Sequence, residues 1–227
     1  RQKIKIQTQA DQLKMQNERL IELDRFKETM TTTIVHDLKN SLNAIINVPE
    51  NLSEEGLKLV KQSAGQMLNM VMNILDIYKY ENSRMVLNTS AHPLYEIVQK
   101  AMGEVAFLNQ AKHISIRNHV HTEIYIRADK EIIIRVLINL LTNAIKFTPV
   151  GGMIRVDASS SEFPGAEVGE GVVSVSVKDN GEGIPGDQLE KVFDKFTQVE
   201  AKNTGKAPSS GLGLTFCRMA VEAHGGA

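Results

Sequence analysis

The stretch KEIIIRVLINLLTNAIKFTP, residues 130–149, decides the fold of the second part of this chain. Its apolar residues are distributed nearly all round a helix, so we predict a buried helix that begins after a cap at Asp129 and ends near Phe147. Asn139 and Asn143 interrupt the apolar run, and Lys146 follows three residues after the second asparagine. Residues three and four apart share one face of a helix, so we expect these three side chains to project together.

The two asparagines need an explanation, because asparagine is a poor helix former and is costly to bury without partners. An amide oxygen is a suitable ligand for Mg²⁺, and a lysine ammonium suits a phosphate. A site for a metal and a phosphate is therefore one interpretation. The other is that neighbouring backbone satisfies both amides, and the helix taken alone favours that second interpretation.

Short alternating segments surround the predicted helix. ISIRN (114–118) and EIYIR (123–127) come before it, while GGMIRVDAS (151–159) and VVSVSVKD (172–179) come after it. In the last segment, three valines share one face and polar residues share the other: Val173, Val175 and Val177 against Ser174, Ser176 and Lys178. A sheet with one polar face is typically antiparallel and covered on one side. With a further helix at 92–107, the pattern predicts a two-layer α/β sandwich over residues 84–227.

Residues 1–83 differ from the second part in composition. Gly56, Gly65 and Pro49 are the only glycines and proline in this range. We predict two long helices joined near Pro49, which cannot continue a helix. The second helix carries an apolar seam at spacings of three and four, formed by Leu57, Val60, Ala64, Met67, Val71, Ile74 and Tyr78. One hairpin buries little core, so pairing of two copies into a dimeric four-helix bundle is favoured. The alternative is a monomeric helical subdomain packed on the rest of the chain.

Composition excludes several classes of protein. With 26 basic and 27 acidic residues the net charge is -1, which supplies no broad basic field for nucleic acid. The single cysteine, Cys217, cannot form an internal disulfide. No apolar run reaches the roughly 18 residues that a membrane helix needs, so we expect no membrane contact within this fragment. The start has neither a signal peptide nor an initiator Met. We therefore expect a cytoplasmic fragment of a longer protein, which can include a membrane anchor.

Two glycine-containing segments are candidates for ligand binding. DNGEGIP (179–185) follows a predicted strand, so Asp179 stands where it can accept a hydrogen bond from an exocyclic amine, and its glycines permit close backbone approach. Gly211 and Gly213 precede an amphipathic helix, whose free N–H groups attract an anion. An ordinary glycine turn and a packing turn are the respective alternatives.

A third candidate lies in the predicted first helix, at IVHDLKNSL (34–42). Imidazole is a capable nucleophile near neutral pH, and the adjacent Asp37 can take a proton from His36. Asn40 lies one helical turn after the histidine, on the same face. For a histidine taken alone, a solvated surface position is the favoured alternative.

Taken in order, these segments resemble the transmitter core of sensor histidine kinases. HDLKN (36–40) resembles the H box and NLLTNAIKFTP (139–149) the N box. DNGEGI (179–184) resembles the first glycine box, FDKF (193–196) the F box and GLGL (211–214) the second glycine box. Five motifs in this order span nearly the whole chain, which makes the resemblance specific.

The resemblance implies two domains. Residues 1–83 would be a coiled-coil lead-in and a dimerisation and histidine-phosphotransfer hairpin, and residues 84–227 a C-terminally truncated Bergerat-type ATP-binding domain. The implied protein is a homodimeric protein-histidine kinase that uses ATP and Mg²⁺. It would pass phosphate to an aspartate in the receiver domain of a response regulator and also act as a phosphatase.

The same resemblance implies a role for each site residue. His36 takes the γ-phosphoryl group, Asp37 is its base, Asn40 holds a water for the phosphatase reaction, and Asn143 binds magnesium. The other assignments are Asn139, Lys146, Gly211 and Gly213 to the phosphates, Asp179, Gly181 and Gly183 to adenine, and Phe193 and Phe196 to the border of a lid at about 197–210.

Ser41 replaces the proline usual in the H box, so the sequence leaves open whether the helix bends beside His36. Two other functions compete with the kinase. One is a related ATPase of the gyrase and mismatch-repair group. Those ATPases lack a histidine on a preceding dimeric hairpin, so His36 argues against this function. A nucleotide-sensing pseudokinase is disfavoured by the intact Asn143 and Asp179.

Overall fold

The computed structural model describes residues 13–17, 38–39, 42–43, 45–46, 56–57, 60, 63–65, 67–68, 71–75, 86–109, 112–162, 171–194 and 211–227. Every described residue before position 76 is α-helical, in agreement with the helices predicted there. The described residues belong to two compact units, one that reaches to Val71 and one that starts at Met72. The predicted turn at Pro49 lies outside the described residues.

The second unit alternates between strands and helices. Its elements are β1 (Ser90–Pro93), α1 (Leu94–Val105), β2 (Ser115–Asn118), β3 (Tyr125–Ala128), α2 (Lys130–Phe147), β4 (Met153–Glu162), β5 (Gly171–Asp179) and α3 (Gly213–Ala223). Single 3₁₀ turns are found at Ala106–Asn109, Gly186–Gln188 and Lys191–Phe193.

The main sheet has the strand order β2-β4-β5. β4 is antiparallel to β5, with Val156 opposite Val177, but parallel to β2, with Ser115 opposite Met153. The expectation of an antiparallel sheet is therefore wrong for β2 and β4. Between them the chain runs through β3 and α2, and such a long crossover returns the next strand in the same direction.

β3 does not join the main sheet but pairs antiparallel with β1, Ser90 lying opposite Ala128. β1 is not among the strands expected from the sequence, and its last two residues, His92 and Pro93, fall in the helix predicted at 92–107. Pro93 ends the strand and immediately precedes α1, which suits a residue without an N–H group to contribute to a ladder. The helix itself begins at Leu94.

The hydrophobic core lies where α1 and α2 meet the inner face of the main sheet. Val173 and Val177 pack against this core as predicted, whereas Val175 is exposed. On the opposite face Arg155 Nε donates to Asp157 Oδ2 (2.8 Å), so that face is polar. The fully or nearly fully buried core residues include Leu94, Ile97, Val98, Ala101, Ile134, Leu137, Leu141, Ile145, Ile154 and Val156. The predicted mixed α/β arrangement with one polar sheet face is thus confirmed.

Helix α2 starts at a dense set of hydrogen bonds around Asp129, the predicted N-cap. Its Oδ1 accepts from Ile132 N (3.3 Å) and its Oδ2 from Asn88 N (3.0 Å). The Asp129 N–H donates to His224 Nε2 (3.0 Å), so the His224 proton sits on Nδ1 and is donated to Ala220 O (2.7 Å). The end of α3 is therefore tied to the start of α2.

A smaller cluster joins the middle of α2 to α3. Phe216, Cys217 and Ala220 of α3 are buried together with Val136 of α2. The Arg135 guanidinium lies 4.5 Å from the centre of the Phe216 ring, which gives a cation–π contact. Among the described residues, no helix has the length and apolar character needed to cross a membrane.

Burial raises the pKa of the Cys217 thiol from 9.0 to about 12. The folded chain thus holds this proton more tightly, so the thiol contributes less stability as the pH rises above 9.0. Because the thiolate is the reactive form, we predict that Ellman's reagent labels the native chain at least ~100-fold more slowly than the unfolded chain at pH 8. The guanidinium-unfolded chain is the control, and equal labelling rates would contradict the burial of Cys217.

Candidate functional site

The polar stripe predicted on α2 is present. Asn139, Asn143 and Lys146 are each half-buried, whereas Leu141 and Ala144 between them belong to the core. Because the side chains of the stripe are only half-buried, its two amide groups avoid the full free-energy cost of burial. The stripe offers two amide groups and one ammonium group along a single helix face.

The start of α3 lies directly beside this stripe. A Cβ atom added to Gly213 would stand 3.2 Å from Asn139 Oδ1, so the backbone of α3 lies close to the amide. Gly211 adopts a positive φ of 67°, and its carbonyl accepts from Thr215 Oγ1 (3.3 Å). The first N–H groups of a helix lack intrahelical acceptors and carry partial positive charge. A helix start whose chemistry suits an anion therefore neighbours an amide-bearing helix face.

The turn after β5 packs against the other end of α2. Asp179 Oδ1 accepts from Gly181 N (2.8 Å), which holds the carboxylate at the end of the strand. A Cβ atom on Gly181 would lie 2.7 Å from Phe147 O, so only glycine fits there. Gly183 has a positive φ of 74°. The two glycines thus serve different needs, close approach for Gly181 and left-handed backbone for Gly183.

Asn180, which the sequence analysis did not single out, ties this turn to the sheet. Its Oδ1 accepts from Met153 N (2.8 Å) at the start of β4. A Cβ atom on Gly152 would lie 2.7 Å from the same oxygen and would collide with Thr148 Cγ2. The three segments around Thr148, Gly152 and Asn180 are therefore closely interlocked. No local sequence pattern predicts this role of Asn180, because Asn180 and its partner Met153 are 27 positions apart.

A cavity of about 440 Å³ adjoins the turn and the end of α2. Its lining includes neither Asn139 nor Asn143, so the cavity and the polar stripe are separate features. In the part of the chain that the structure describes, no three His, Cys, Asp or Glu side chains cluster as metal ligands. A metal held near α2 would need an amide oxygen and oxygens of a bound ligand. The cavity is lined by Lys112, Phe147, Thr148, Pro149, Val150, Asn180, Gly181 and Glu182.

The remaining predicted residues fare differently. Phe193 ends the 3₁₀ turn Lys191–Phe193, which contacts α3, and is partly exposed. His36, Asp37, Asn40, Ser41, Phe196 and the predicted lid at 197–210 lie outside the described residues. The roles assigned to them stay predictions.

Comparison with known proteins agrees with this geometry. Residues 128–227 match the family described as "Histidine kinase-, DNA gyrase B-, and HSP90-like ATPase", and this range contains α2, the Asp179 turn and α3. Hybrid signal transduction histidine kinase D of Dictyostelium discoideum is 29% identical over 98% of this chain and 15% of its own length. Sensor histidine kinase WalK of Bacillus subtilis is 26% identical over 90% of this chain and 34% of its own length. The chain thus spans about a third or less of these curated relatives.

Among solved structures, histidine kinase ThkA in complex with the response regulator protein TrrA matches with a TM-score of 0.55 and 25% identity, covering 87% of this chain and 55% of that one. The similarity to histidine kinases is consistent with the order of the sequence motifs. It is also consistent with the close approach of α3 to α2. Residues 128–227 are thus similar to the ATPase domain of the histidine kinase, gyrase B and HSP90 type, and the chain as a whole is similar to the catalytic core of sensor histidine kinases.

Proposed function

We propose that the chain is a two-component protein-histidine kinase that phosphorylates His36 with ATP and passes the phosphoryl group to an aspartate of a response regulator. The observation that carries the proposal is the approach of Gly213 to Asn139, 3.2 Å from an added Cβ to the amide oxygen. It joins an anion-binding helix start to an amide-bearing helix face, although the two lie far apart in sequence.

The triphosphate of ATP would lie at this junction. Gly211 and Gly213 carry no side chain that would hinder phosphate oxygens at the start of α3, and Lys146 adds a positive charge. Magnesium supplies charge neutralisation between phosphates when bound, and the Asn143 amide oxygen suits it as a hard ligand. Because phosphoryl transfer depends mainly on positioning and charge neutralisation, this set of groups fits the reaction.

The base of the nucleotide would bind at the turn after β5. The Gly181 N–H holds Asp179 Oδ1, and this fixes the carboxylate where an exocyclic amine of adenine can donate to it. Gly181 and Gly183 shape the turn around the ring. Phe193 and Phe196 would border the lid at about 197–210.

In the reaction that we propose, His36 attacks the γ-phosphorus of ATP. A nitrogen–phosphorus bond forms, the bond from the γ-phosphorus to the bridging oxygen breaks, and ADP leaves. Asp37 orients the imidazole and accepts its proton. We place His36 on the hairpin of residues 1–83 and the nucleotide site on residues 84–227.

The helical residues of the first part support a homodimer. Several of their large apolar side chains are exposed in the single chain, and a surface of this kind is typical of an interface. Pairing two hairpins into a four-helix bundle would cover them. The exposed residues are Leu42, Ile46, Leu57, Leu68, Val71 and Leu75.

We predict that replacing Val71 and Ile74 by Glu gives monomers, because the seam then places like charges at the dimer interface. Sedimentation velocity measures the change, with Val150→Glu as a control at an exposed position outside residues 1–83. A dimeric mass in the Val71 and Ile74 variant would contradict the bundle.

We predict that His36→Gln abolishes labelling of the chain by γ-labelled ATP while ATP binding is retained, because the nucleophile and the nucleotide site are on different domains. Label on histidine of the native chain supports the kinase. Release of free phosphate without labelled protein would favour the related ATPase, and neither product would favour a nucleotide-sensing pseudokinase.

We predict that Asn143→Ala weakens Mg²⁺-dependent ATP binding by about tenfold or more, because it removes the amide ligand while α2 keeps its core packing. Calorimetric titration with and without Mg²⁺ measures the effect. Thr142→Ala, a half-buried neighbour off the stripe, is the matched control. Native affinity and native metal dependence in Asn143→Ala would refute the assignment.

We predict that Asn40→Ala largely keeps histidine phosphorylation and loses phosphatase activity toward the regulator by about 10–100-fold. An amide both donates and accepts, so it is suited to orient the attacking water. Both rates are measured on one preparation with the cognate regulator. An equal fall of the two rates would assign Asn40 to docking or structure instead.

A further inference from the structure

Lys112 reaches from the loop before β2 to the end of α2. Its Nζ donates to three backbone carbonyls, Ile145 O (2.8 Å), Lys146 O (2.8 Å) and Thr148 O (2.9 Å). A lysine ammonium has three N–H groups, so each of these carbonyls accounts for one of them. The side chain is partly buried, which strengthens the contacts relative to bulk water.

These carbonyls are the groups that a helix leaves unpaired at its end. The last carbonyls of a helix have no intrahelical donor and carry partial negative charge. At the end of α2 the Thr148 N–H still donates to Ala144 O (2.9 Å), while Lys112 donates to the carbonyls of Ile145, Lys146 and Thr148. Lys112 thus closes the helix with both hydrogen bonds and a positive charge.

The backbone around Lys112 is itself held in place. Lys112 N and His113 N both donate to Asn109 O (3.1 and 3.0 Å), and Ile114 N donates to Asn109 Oδ1 (2.7 Å). On the other side, Gly151 N donates to Lys112 O (2.8 Å). Because these hydrogen bonds hold the loop backbone, the Lys112 side chain holds the carbonyls at the end of α2 in a defined position.

The helix end that Lys112 holds is the one that meets the turn after β5. The Phe147 carbonyl lies among the three acceptors in sequence and next to Gly181, where an added Cβ would stand only 2.7 Å from the Phe147 oxygen. Asn143 and Lys146 belong to the same last turns of α2. A shift of these turns would move the amide, the ammonium group and the contact with Gly181 together.

We infer that Lys112 is a positioning residue of the nucleotide site, acting through the last turn of α2 on Asn143, Lys146 and the Asp179–Gly183 turn. The inference rests on the proposed function, because it takes those residues to bind ATP and Mg²⁺. Lys112 lies outside the five motifs. In this inference its hydrogen bonds set the relative positions of the residues within those motifs.

The test compares Lys112→Met, which keeps the stem and removes the ammonium group, with Lys112→Arg, which keeps charge and several donors. Calorimetric titration with MgATP is performed well below the melting temperature of each variant. We expect the dissociation constant to rise about tenfold in Lys112→Met, within the ~10²-fold cost of a 1 Å misplacement, and to stay within about threefold of native in Lys112→Arg.

Lys100→Met is the matched control. Lys100 also contacts α2, but at its start, where its Nζ lies 3.2 Å from Glu131 Oε1 in an exposed pair. The same substitution there should leave MgATP affinity unchanged, because exposed pairs of this kind contribute little.

A purely structural role would lower the melting temperature of Lys112→Met but leave the dissociation constant of the folded protein native, and this result would overturn the inference. Should Lys112→Met not fold, Lys112→Gln, with two donors and no charge, replaces it with an expected rise between the other two variants. Native MgATP affinity in Lys112→Gln would overturn the inference equally. Absence of ATP binding by the native chain would instead overturn the proposed function, and the role of Lys112 with it.

Discussion

Helix α2 has to form the centre of the core and present polar groups along one face, and the remainder of the second unit is arranged around that constraint. Its buried face packs against α1 and the main sheet through residues such as Leu137 and Leu141. Its polar face meets the start of α3, where Gly213 approaches Asn139 without a side chain between them. The position of this one helix therefore determines how the described candidate groups on α2, on the turn after β5 and at the start of α3 are spaced.

Contacts from distant parts of the chain hold both ends of α2. At the start, Asp129 caps the helix, and His224 at the end of α3 accepts from the Asp129 N–H. At the far end Lys112 binds the last carbonyls. Since α3 begins beside Asn139 in the middle of α2 and ends at the start of α2, the two helices are fixed to each other over the first half of α2. An alignment of this kind lowers the reorganisation needed when a charged ligand binds.

Much of this arrangement is visible in the sequence because its causes are local. The bounds of α2 follow from the Asp129 cap and from an apolar run that ends before Pro149. The grouping of Asn139, Asn143 and Lys146 follows from helical spacing. The parallel pairing of β2 with β4 could not be read in the same way, because strand direction depends on the path of a whole crossover. The roles of Lys112, Asn180 and His224 were also missed, since each depends on partners from 27 to 95 positions away.

The central claim is that the meeting of α2 with α3 forms the site for magnesium and the phosphates of ATP. A crystal structure of the chain with Mg²⁺ and a non-hydrolysable ATP analogue tests it most directly. The account predicts the metal on Asn143 Oδ1, the phosphates at the first N–H groups of α3 and the adenine amine on Asp179. A nucleotide bound instead in the cavity beside Lys112 and Val150, or a metal that does not touch Asn143, would contradict the account.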